Sequence, residues 1–542
     1  MPIARSECQE LALRASQRTV ADALTSSATR RPTAVALRAG QVVVSYQELE
    51  AEADRIAAAL AALQAEPGRP VIVLSENSLQ YVLLMFGAAR AGVPIAHLNW
   101  RHGPDELAES LKVLQPRVAF VQAAYLGSVT EAAMRCGVRL ESLITLGTGP
   151  AAPAAGNDGA WEWRDFVELG TGRRHRPDVH PETCLHIVLT SGSTGQPKAA
   201  MISHRAMLAR AAVIAGDIGV TADDAFVAWS PLYHVAASDY TYITAILGGT
   251  TFVLPGFDAA GIADIVAAHR IGWLMAIPGT IRALIEACKK RAAPGDWSPR
   301  MRAVGVMPDL VPPDEIAELT SLVHAPFVNS YGTTESGLQP TAVANLAEGV
   351  IPVDLSKPQS AMCDVRITDS SGADVPAGVP GEMLLRGPTL FSGYFNRPDD
   401  DAAAFAGGWW HSGDMVLREP NGNLTFVERK SYMIKSGGEN IYPSEIERVL
   451  SGHERLTQVA VVRARSERWG QTPVAFVAVT QPAPTAQELK EWCAARLSRF
   501  KVPSSFRFIA AADFPRNVSG KVDRRELEKR LLADGNEKRS RQ

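Results

Sequence analysis

From Thr190 the chain reads Thr190-Ser191-Gly192-Ser193-Thr194-Gly195-Gln196-Pro197-Lys198. Two glycines and four hydroxyl residues fall within six positions, and a lysine follows three places on. Glycines let the backbone bend tightly and turn its N–H groups toward an anion. Hydroxyls add donors and the lysine adds charge, a combination that suits a polyphosphate. The spacing differs from the common nucleotide P-loop, whose lysine follows its second glycine directly and precedes Ser or Thr. Here Gln196 and Pro197 intervene. A Ser/Gly-rich stretch is also what a plain surface loop looks like. The apolar, strand-like His186-Ile187-Val188-Leu189 just before it favours the anion reading without deciding it.

Three other clusters carry usable chemistry. Tyr331-Gly332-Thr333-Thr334-Glu335 offers an aromatic face, two hydroxyls and a carboxylate just after the strand-like Pro326-Phe327-Val328-Asn329. In open α/β sheets ligands bind at that carboxyl edge. Trp410-His411-Ser412-Gly413-Asp414 sets an acid after a tight turn, and Arg516 to Lys521 sets a lysine beside another. Each has a bland reading as well. Glu335 reads as a surface acid, Tyr331 as a core ring, and His234, between Tyr233 and Val235, as a satisfied core histidine.

Positioning such groups takes a scaffold, and the pattern supplies one. Val71–Ser75 reads as a strand and Leu79–Ala91 as the helix after it. Thr251–Leu254 precedes a helical Ala259–His269, Trp273–Ile277 precedes Ile281–Lys289, and Arg302–Val306 precedes Glu315–Val323. That alternation predicts a large layered α/β N-terminal body with mostly parallel strands. After about residue 350 short strands and turns dominate, which predicts a β-rich subdomain at about 350–430. Strands near 459–462 and 474–478, with a helix at 487–497, predict a small α+β C-terminal domain. The domains are therefore set at 1–430 and 431–542. A chain of 542 residues exceeds one ordinary core. A net charge of −3 gives no basic excess for nucleic acid. The six cysteines form no C-x-x-C pair, so neither a zinc cluster nor a disulfide framework is expected. No apolar run suffices to span a bilayer, and no secretory signal opens the chain, so a cytoplasmic protein is expected.

Taken together and in this order, the clusters resemble the adenylate-forming ANL superfamily, in its AMP-forming acyl-CoA synthetase branch. The resemblance runs over nearly the whole chain. It includes Ala88 to Pro94, the loop Thr190 to Lys198, Pro231-Leu232-Tyr233-His234, Tyr331 to Glu335, Gly381-Glu382, Arg386-Gly387, Ser412-Gly413-Asp414, Arg429, Gly437-Gly438-Glu439-Asn440 and Gly520-Lys521. It implies a two-step reaction: ATP and a carboxylic acid give acyl-AMP and pyrophosphate, then the thiol of coenzyme A displaces AMP. It implies that Thr190, Ser191, Gly192, Ser193, Thr194, Gly195 and Lys198 cradle phosphates. Glu335 would hold Mg²⁺, Thr334 would touch the α-phosphate beside Gly332 and Thr333, Tyr331 would pack on adenine, and Asp414 with Arg429 would hold the ribose. Lys521 would bridge the attacking carboxylate and the α-phosphate. His234 would gate the acyl pocket, Gly437 and Gly438 would line the pantetheine channel, and the C-terminal domain would pivot between the two steps.

The chain departs from the family pattern in places. The pivot is Ser431, where Asp or Lys is usual. Met307 stands where relatives carry small residues. Asp239 follows Ala236 and Ala237 on a segment that forms the acyl wall in relatives, together with Leu338. An acid there is expensive to bury alone, so it either contacts a polar substrate or is hydrogen-bonded away from the pocket. His234 replaces the Phe-Asp of amino-acid-activating domains, which favours a CoA ligase over the alternative of a stand-alone enzyme that loads a carrier protein. The expected partner is a small aryl or short-to-medium-chain carboxylic acid.

Overall fold

The computed structural model of the protein describes residues 17–147, 160–191, 197–277, 279–291, 301–305, 311–341, 344–436, 439–466, 468–516 and 522–540. The chain divides into two compact units, Met1–Val365 with Leu385–Trp410 and Arg366–Leu384 with His411–Gln542.

Two parallel-rich sheets organise the first unit. In one, the strands run in the order Ala160–Glu162, Ser142–Leu146, Val118–Gln122, Val71–Leu74, Ile95–His97, Cys184–Ser191 and Pro197–Ser203. Every described pairing is parallel except the last, which is antiparallel. The other runs Ala344–Leu346, Phe327–Val328, Met301–Val304, Ile271–Leu274, Ala225–Ala228, Thr250–Val253, Val35–Ala39 and Val42–Ser45, with antiparallel strands only at its two edges. Its strands are buried runs such as Val227, Leu274 and Val304, packed on helices Ala259–Ala268, Ile281–Arg291 and Pro313–Val323. Continuous apolar runs are what strands covered on both faces require.

Helix Leu79–Ala91 has the span the sequence predicts. Ser78 caps it by accepting from the Tyr81 amide, and Gly92 ends it in the left-handed region at φ 68°. Apart from Gln80 and the ion-paired Arg90 it is apolar, and it is buried from Tyr81 to Ala91, as a helix inside a large core must be.

The strands Asp364–Thr368, Gly381–Arg386, Trp410–Arg418 and Leu424–Arg429, most of whose residues belong to the second unit, follow one another in a four-stranded sheet. A further sheet pairs the long hairpin Leu456–Ser466 and Gly470–Val479. Ile446, Leu450, Val461, Val477, Leu489 and Cys493 fill the core against it. Asp414 departs from its expected place after a turn: it lies within a strand, in register with Arg429. Gly413 beside it takes φ 70°, which is the local kink that the sequence reading mistook for a turn. Among the described residues no helix is long and apolar enough to cross a membrane.

Candidate active site

The glycine-rich loop leaves strand Cys184–Ser191 and returns as strand Pro197–Ser203. The two strands hold its ends together, with Thr190 opposite Lys198 and Ser191 opposite Pro197. The Thr190 hydroxyl donates to the Lys198 carbonyl at 3.4 Å. Gly192, Ser193, Thr194 and Gly195 lie outside the described residues. Lys198 Nζ is 2.8 Å from Asp400 Oδ1 and sits 4.8 Å from the centre of the Tyr394 ring.

A strap of residues 391–395 runs alongside the returning strand. The Ser392 amide donates to Met201 O at 2.8 Å, the Met201 amide to Gly393 O at 2.9 Å, and the Phe395 amide to Ala199 O at 2.8 Å. The same strap takes hold of Glu335 at two points. The Phe391 amide donates to its carbonyl at 2.7 Å, and the Tyr394 hydroxyl donates to its Oε1 at 3.0 Å. Burial first, then the Glu335 charge, push the Tyr394 hydroxyl well above its ordinary range, so it stays a donor. Lys198, Tyr394 and Glu335 thus meet in one cluster, although 137 positions separate the lysine from the glutamate.

Glu335 sits at the tip of a tight hairpin, Tyr331–Thr333 against Gly337–Thr341. The buried Tyr331 is anchored by its amide, which donates to Thr341 Oγ1 at 2.7 Å. Thr333 Oγ1 accepts from the Ser336 amide at 3.1 Å. Gly332 is required by close approach: a Cβ there would lie 2.3 Å from the Gly337 carbonyl. Arg210 reaches the tip from helix His204–Val213. Its Nη2 donates to Thr334 O at 3.1 Å and to Glu335 O at 3.3 Å.

The segment before helix Val235–Leu247 is pinned by Asn77. Asn77 Nδ2 donates to Ser230 O at 2.8 Å, and its Oδ1 accepts from the Leu232 amide at 2.8 Å. That places His234 at the helix start, half-buried, with its ring 4.5 Å from that of Tyr233. Ala236 is half-buried on the first turn and Ala237 fully buried, while Leu338 is half-buried on the hairpin. Asp239 is 3% exposed and its carboxylate is engaged: Oδ2 accepts from Arg210 Nη1 at 2.5 Å, and Oδ1 faces His186 Nε2 at 3.3 Å. Burial disfavours its charged form and pushes its pKa up, but the Arg210 and His186 partners outweigh that and hold the carboxyl below its ordinary range.

In the second unit, buried Asp414 receives Arg429 Nε at 2.8 Å across the strand pair. The Asp414 amide donates to Ser412 Oγ, which itself donates to Met383 O. Ser431 is exposed, and its carbonyl accepts from Arg463 Nη1 at 3.0 Å. Met307, Gly437, Gly438 and Lys521 lie outside the described residues.

Arg210, Tyr394, Asp400 and His186 escaped the sequence reading. Arg210 looks like a solvated arginine on an alanine-rich helix, and its partners lie 29 to 179 positions away. Tyr394 carried a faint signal, a buried-type aromatic between Gly393 and an acidic run at 399–401.

A family model for the AMP-binding enzyme matches residues 24–395, and one for the AMP-binding enzyme C-terminal domain matches residues 445–521. An indoleacetate–CoA ligase of Aromatoleum aromaticum is 32% identical over 518 residues, 93% of this chain and 96% of its own. A feruloyl-CoA synthase of an Amycolatopsis species is 30% identical over 505 residues, 92% and 96% of the two chains. ATP-bound MatB from Rhodopseudomonas palustris shares the fold with a TM-score of 0.78 at 22% identity, over 95% of this chain and 98% of its own.

Proposed function

We propose a function from one premise: this chain belongs to the AMP-binding enzyme family. It is an AMP-forming acid–CoA ligase whose substrates are ATP, coenzyme A and a small carboxylic acid. The carboxylate attacks the α-phosphorus of ATP, and pyrophosphate leaves. The thiolate of coenzyme A then attacks the acyl carbon, and AMP leaves. Both named relatives carry CoA-ligase names, so the carrier-protein alternative is not favoured. Indoleacetate and ferulate are aryl acids, and an aryl acid is the substrate class inferred here. The cytoplasm is the inferred compartment.

The observation that carries this reading is the meeting of Lys198 with Glu335 around Tyr394. The first step joins two anions, so it needs concentrated positive charge and aligned donors. In this reading the loop Thr190–Lys198 would offer donors and a cation to the phosphates. Glu335 Oε1 is taken by Tyr394, and Oε2 accepts from no other described residue. No cluster of three metal-ligating side chains occurs among the described residues. That donor set fits Mg²⁺, which prefers hard oxygens and shares its shell with substrate phosphates. When bound, the ion would neutralise phosphate charge. In this reading Thr334 orients the α-phosphate, Tyr331 packs on adenine, and Asp414 with Arg429 holds the ribose hydroxyls. His234, Ala236, Ala237, Met307 and Leu338 border the acid.

Lys521 bridges the reacting carboxylate and the α-phosphate in the first step, and Gly437 and Gly438 leave space for pantetheine in the second. The working division is residues 1–430, which bind ATP and acid, and 431–542, which turn about Ser431; it differs from the compact units, which group 366–384 and 411–430 with the C-terminal residues. The match of a C-terminal domain model to residues 445–521 supports it. A panel of carboxylic acids with Mg·ATP, assayed for AMP and pyrophosphate with and without coenzyme A, tests the reading. AMP release that needs both an acid and coenzyme A is the expected result. Acid-dependent pyrophosphate release indifferent to coenzyme A would favour a carrier protein instead.

A further inference from the structure

The hairpin tip at Thr334 and Glu335 is held by a side chain that the reaction itself does not call for. Arg210 is 3% exposed, and its guanidinium is directed wholly inward. Nε donates to Thr389 O at 3.1 Å, Nη1 to Asp239 Oδ2 at 2.5 Å, and Nη2 to the Thr334 and Glu335 carbonyls. One buried cation therefore ties helix His204–Val213 to helix Val235–Leu247, to the hairpin tip and to the start of the strap. The segment from Thr389 leads into the strap, whose Phe391 and Tyr394 hold the Glu335 carbonyl and carboxylate. Arg210 thus acts on Glu335 from both sides. Gly337 makes room for it: with φ at +71°, a Cβ there would lie 2.9 Å from Arg210 Nε and 3.0 Å from its Cδ.

A buried guanidinium is costly without a counter-charge. Asp239 supplies that charge, and behind Asp239 stands a chain of buried polar groups. His186 Nδ1 is 3.0 Å from His97 Nε2, and His97 Nδ1 is 2.8 Å from the Tyr81 hydroxyl. His186, His97 and Tyr81 are all at most 1% exposed. One arrangement of protons serves every pair. Tyr81 donates to His97, His97 Nε2–H donates to His186, and His186 Nε2–H faces Asp239 Oδ1. This tautomer assignment follows from the network. It agrees with burial holding His97 well below its ordinary range.

We infer that Arg210 is the positioning residue for the Thr334–Glu335 tip, and that Asp239, backed by His186, His97 and Tyr81, keeps its guanidinium in register. What the tip touches rests on the acid–CoA ligase reading above. The planar fork matters as much as the charge, because a lysine cannot serve three carbonyls and a carboxylate at once.

Arg210→Lys keeps the charge opposite Asp239 and removes the fork. Calorimetric titration with Mg·ATP, which needs no acid, is expected to find affinity lowered by about tenfold. Acid-dependent pyrophosphate exchange, with the best acid of the panel, is expected to fall by about 10²-fold in kcat, the scale of a small misplacement of reacting groups. The KM for that acid should stay within about twofold, and conversion of supplied acyl-AMP with coenzyme A within about threefold. Asp239→Asn, nearly isosteric, should give the same pattern more weakly and serves if Arg210→Lys does not fold. Wild-type Mg·ATP affinity and exchange in Arg210→Lys would overturn the inference. So would a parallel loss in both half-reactions and in acid KM that tracks the melting temperature. Absence of acid-dependent exchange in the wild type would instead strike the ligase reading, and calorimetry would judge Arg210 on its own.

Discussion

Lys198 and Asp400, 202 positions apart, form an ion pair of 2.8 Å, with their side chains 23% and 33% exposed. The loop lysine is therefore engaged by a carboxylate. If it binds phosphate as proposed, ATP must draw it from one anion to another. A half-exposed pair of this kind is worth about 0.2–1 kcal/mol. Asp400→Asn should consequently lower the KM for ATP, by at most about fivefold. Lys198→Ala removes a charge-assisted contact to phosphate and should raise that KM by about ten- to a hundredfold. Steady-state kinetics in ATP check both, and a raised KM in Asp400→Asn would mean that the pair orients the lysine usefully.

Tyr394→Phe removes one hydroxyl and leaves the ring under Lys198. Glu335 Oε1 then loses its described donor. The Mg²⁺ concentration for half-maximal adenylation should rise, and kcat should fall by about tenfold, the effect of one hydrogen bond to a charged group. The thermal midpoint should move little. A Mg²⁺ titration of pyrophosphate exchange reads this directly, and an unchanged Mg²⁺ response would remove Tyr394 from the metal site.

The two half-reactions should come apart by mutation. Lys521→Ala should lose acyl-AMP formation by about 10²–10³-fold and retain thioester formation from supplied acyl-AMP. Gly438→Leu should do the reverse if Gly438 lines the pantetheine path as proposed, since leucine would add a bulky side chain there. Ser431→Pro fixes φ and deletes an N–H, so it should spare one half-reaction and cripple the other. Equal damage to both steps in all three variants would sink the division of labour.

His204 is fully buried, and its Nδ1 accepts from the Val20 amide at 3.2 Å. Burial lowers it from 6.5 to about 4, against an opposing pull from Asp22. Between those values the unfolded chain binds a proton that the folded chain refuses. Stability is then full above 6.5 and declines as the pH falls toward 4. Between pH 7 and 5 the loss from His204 is about 2 kcal/mol, and buried His97 shifts in the same direction. Urea unfolding at the two pH values measures it. His204→Gln should flatten the slope, and an undiminished slope would assign the effect elsewhere.

Local signals were legible where the chain carries its own punctuation. Ser78 and Gly92 bracket helix Leu79–Ala91, and both ends were readable. Strand Ile271–Leu274 begins two residues before its sequence reading, because pairing with Ala225 sets its start. The loop at Thr190 and the polar clusters at Tyr331 and Asp414 were singled out from composition and order, but the hairpin around Glu335 and the strand around Asp414 were not. What tightens them was not. Arg210, His186 and Tyr394 have no local pattern, since their partners are long-range and arise only when the sheets and the strap assemble. Buried polar networks look like ordinary polar residues in one dimension, and their meaning lies in which acceptors they reach.

The chain's threading between the two compact units has a practical corollary for anyone cutting it. It leaves the first unit at Arg366, re-enters at Leu385 and leaves again at His411. A fragment ending at Val365 would therefore discard Tyr394 and Asp400, and with them the grip on Glu335 and Lys198. A fragment beginning at His411 would lose Gly381–Arg386, the neighbour of strand Trp410–Arg418, and bare a sheet edge that invites aggregation. No single scission frees either half intact, so exchange of parts between related enzymes should carry residues 366–384 with the C-terminal unit and 385–410 with the N-terminal one.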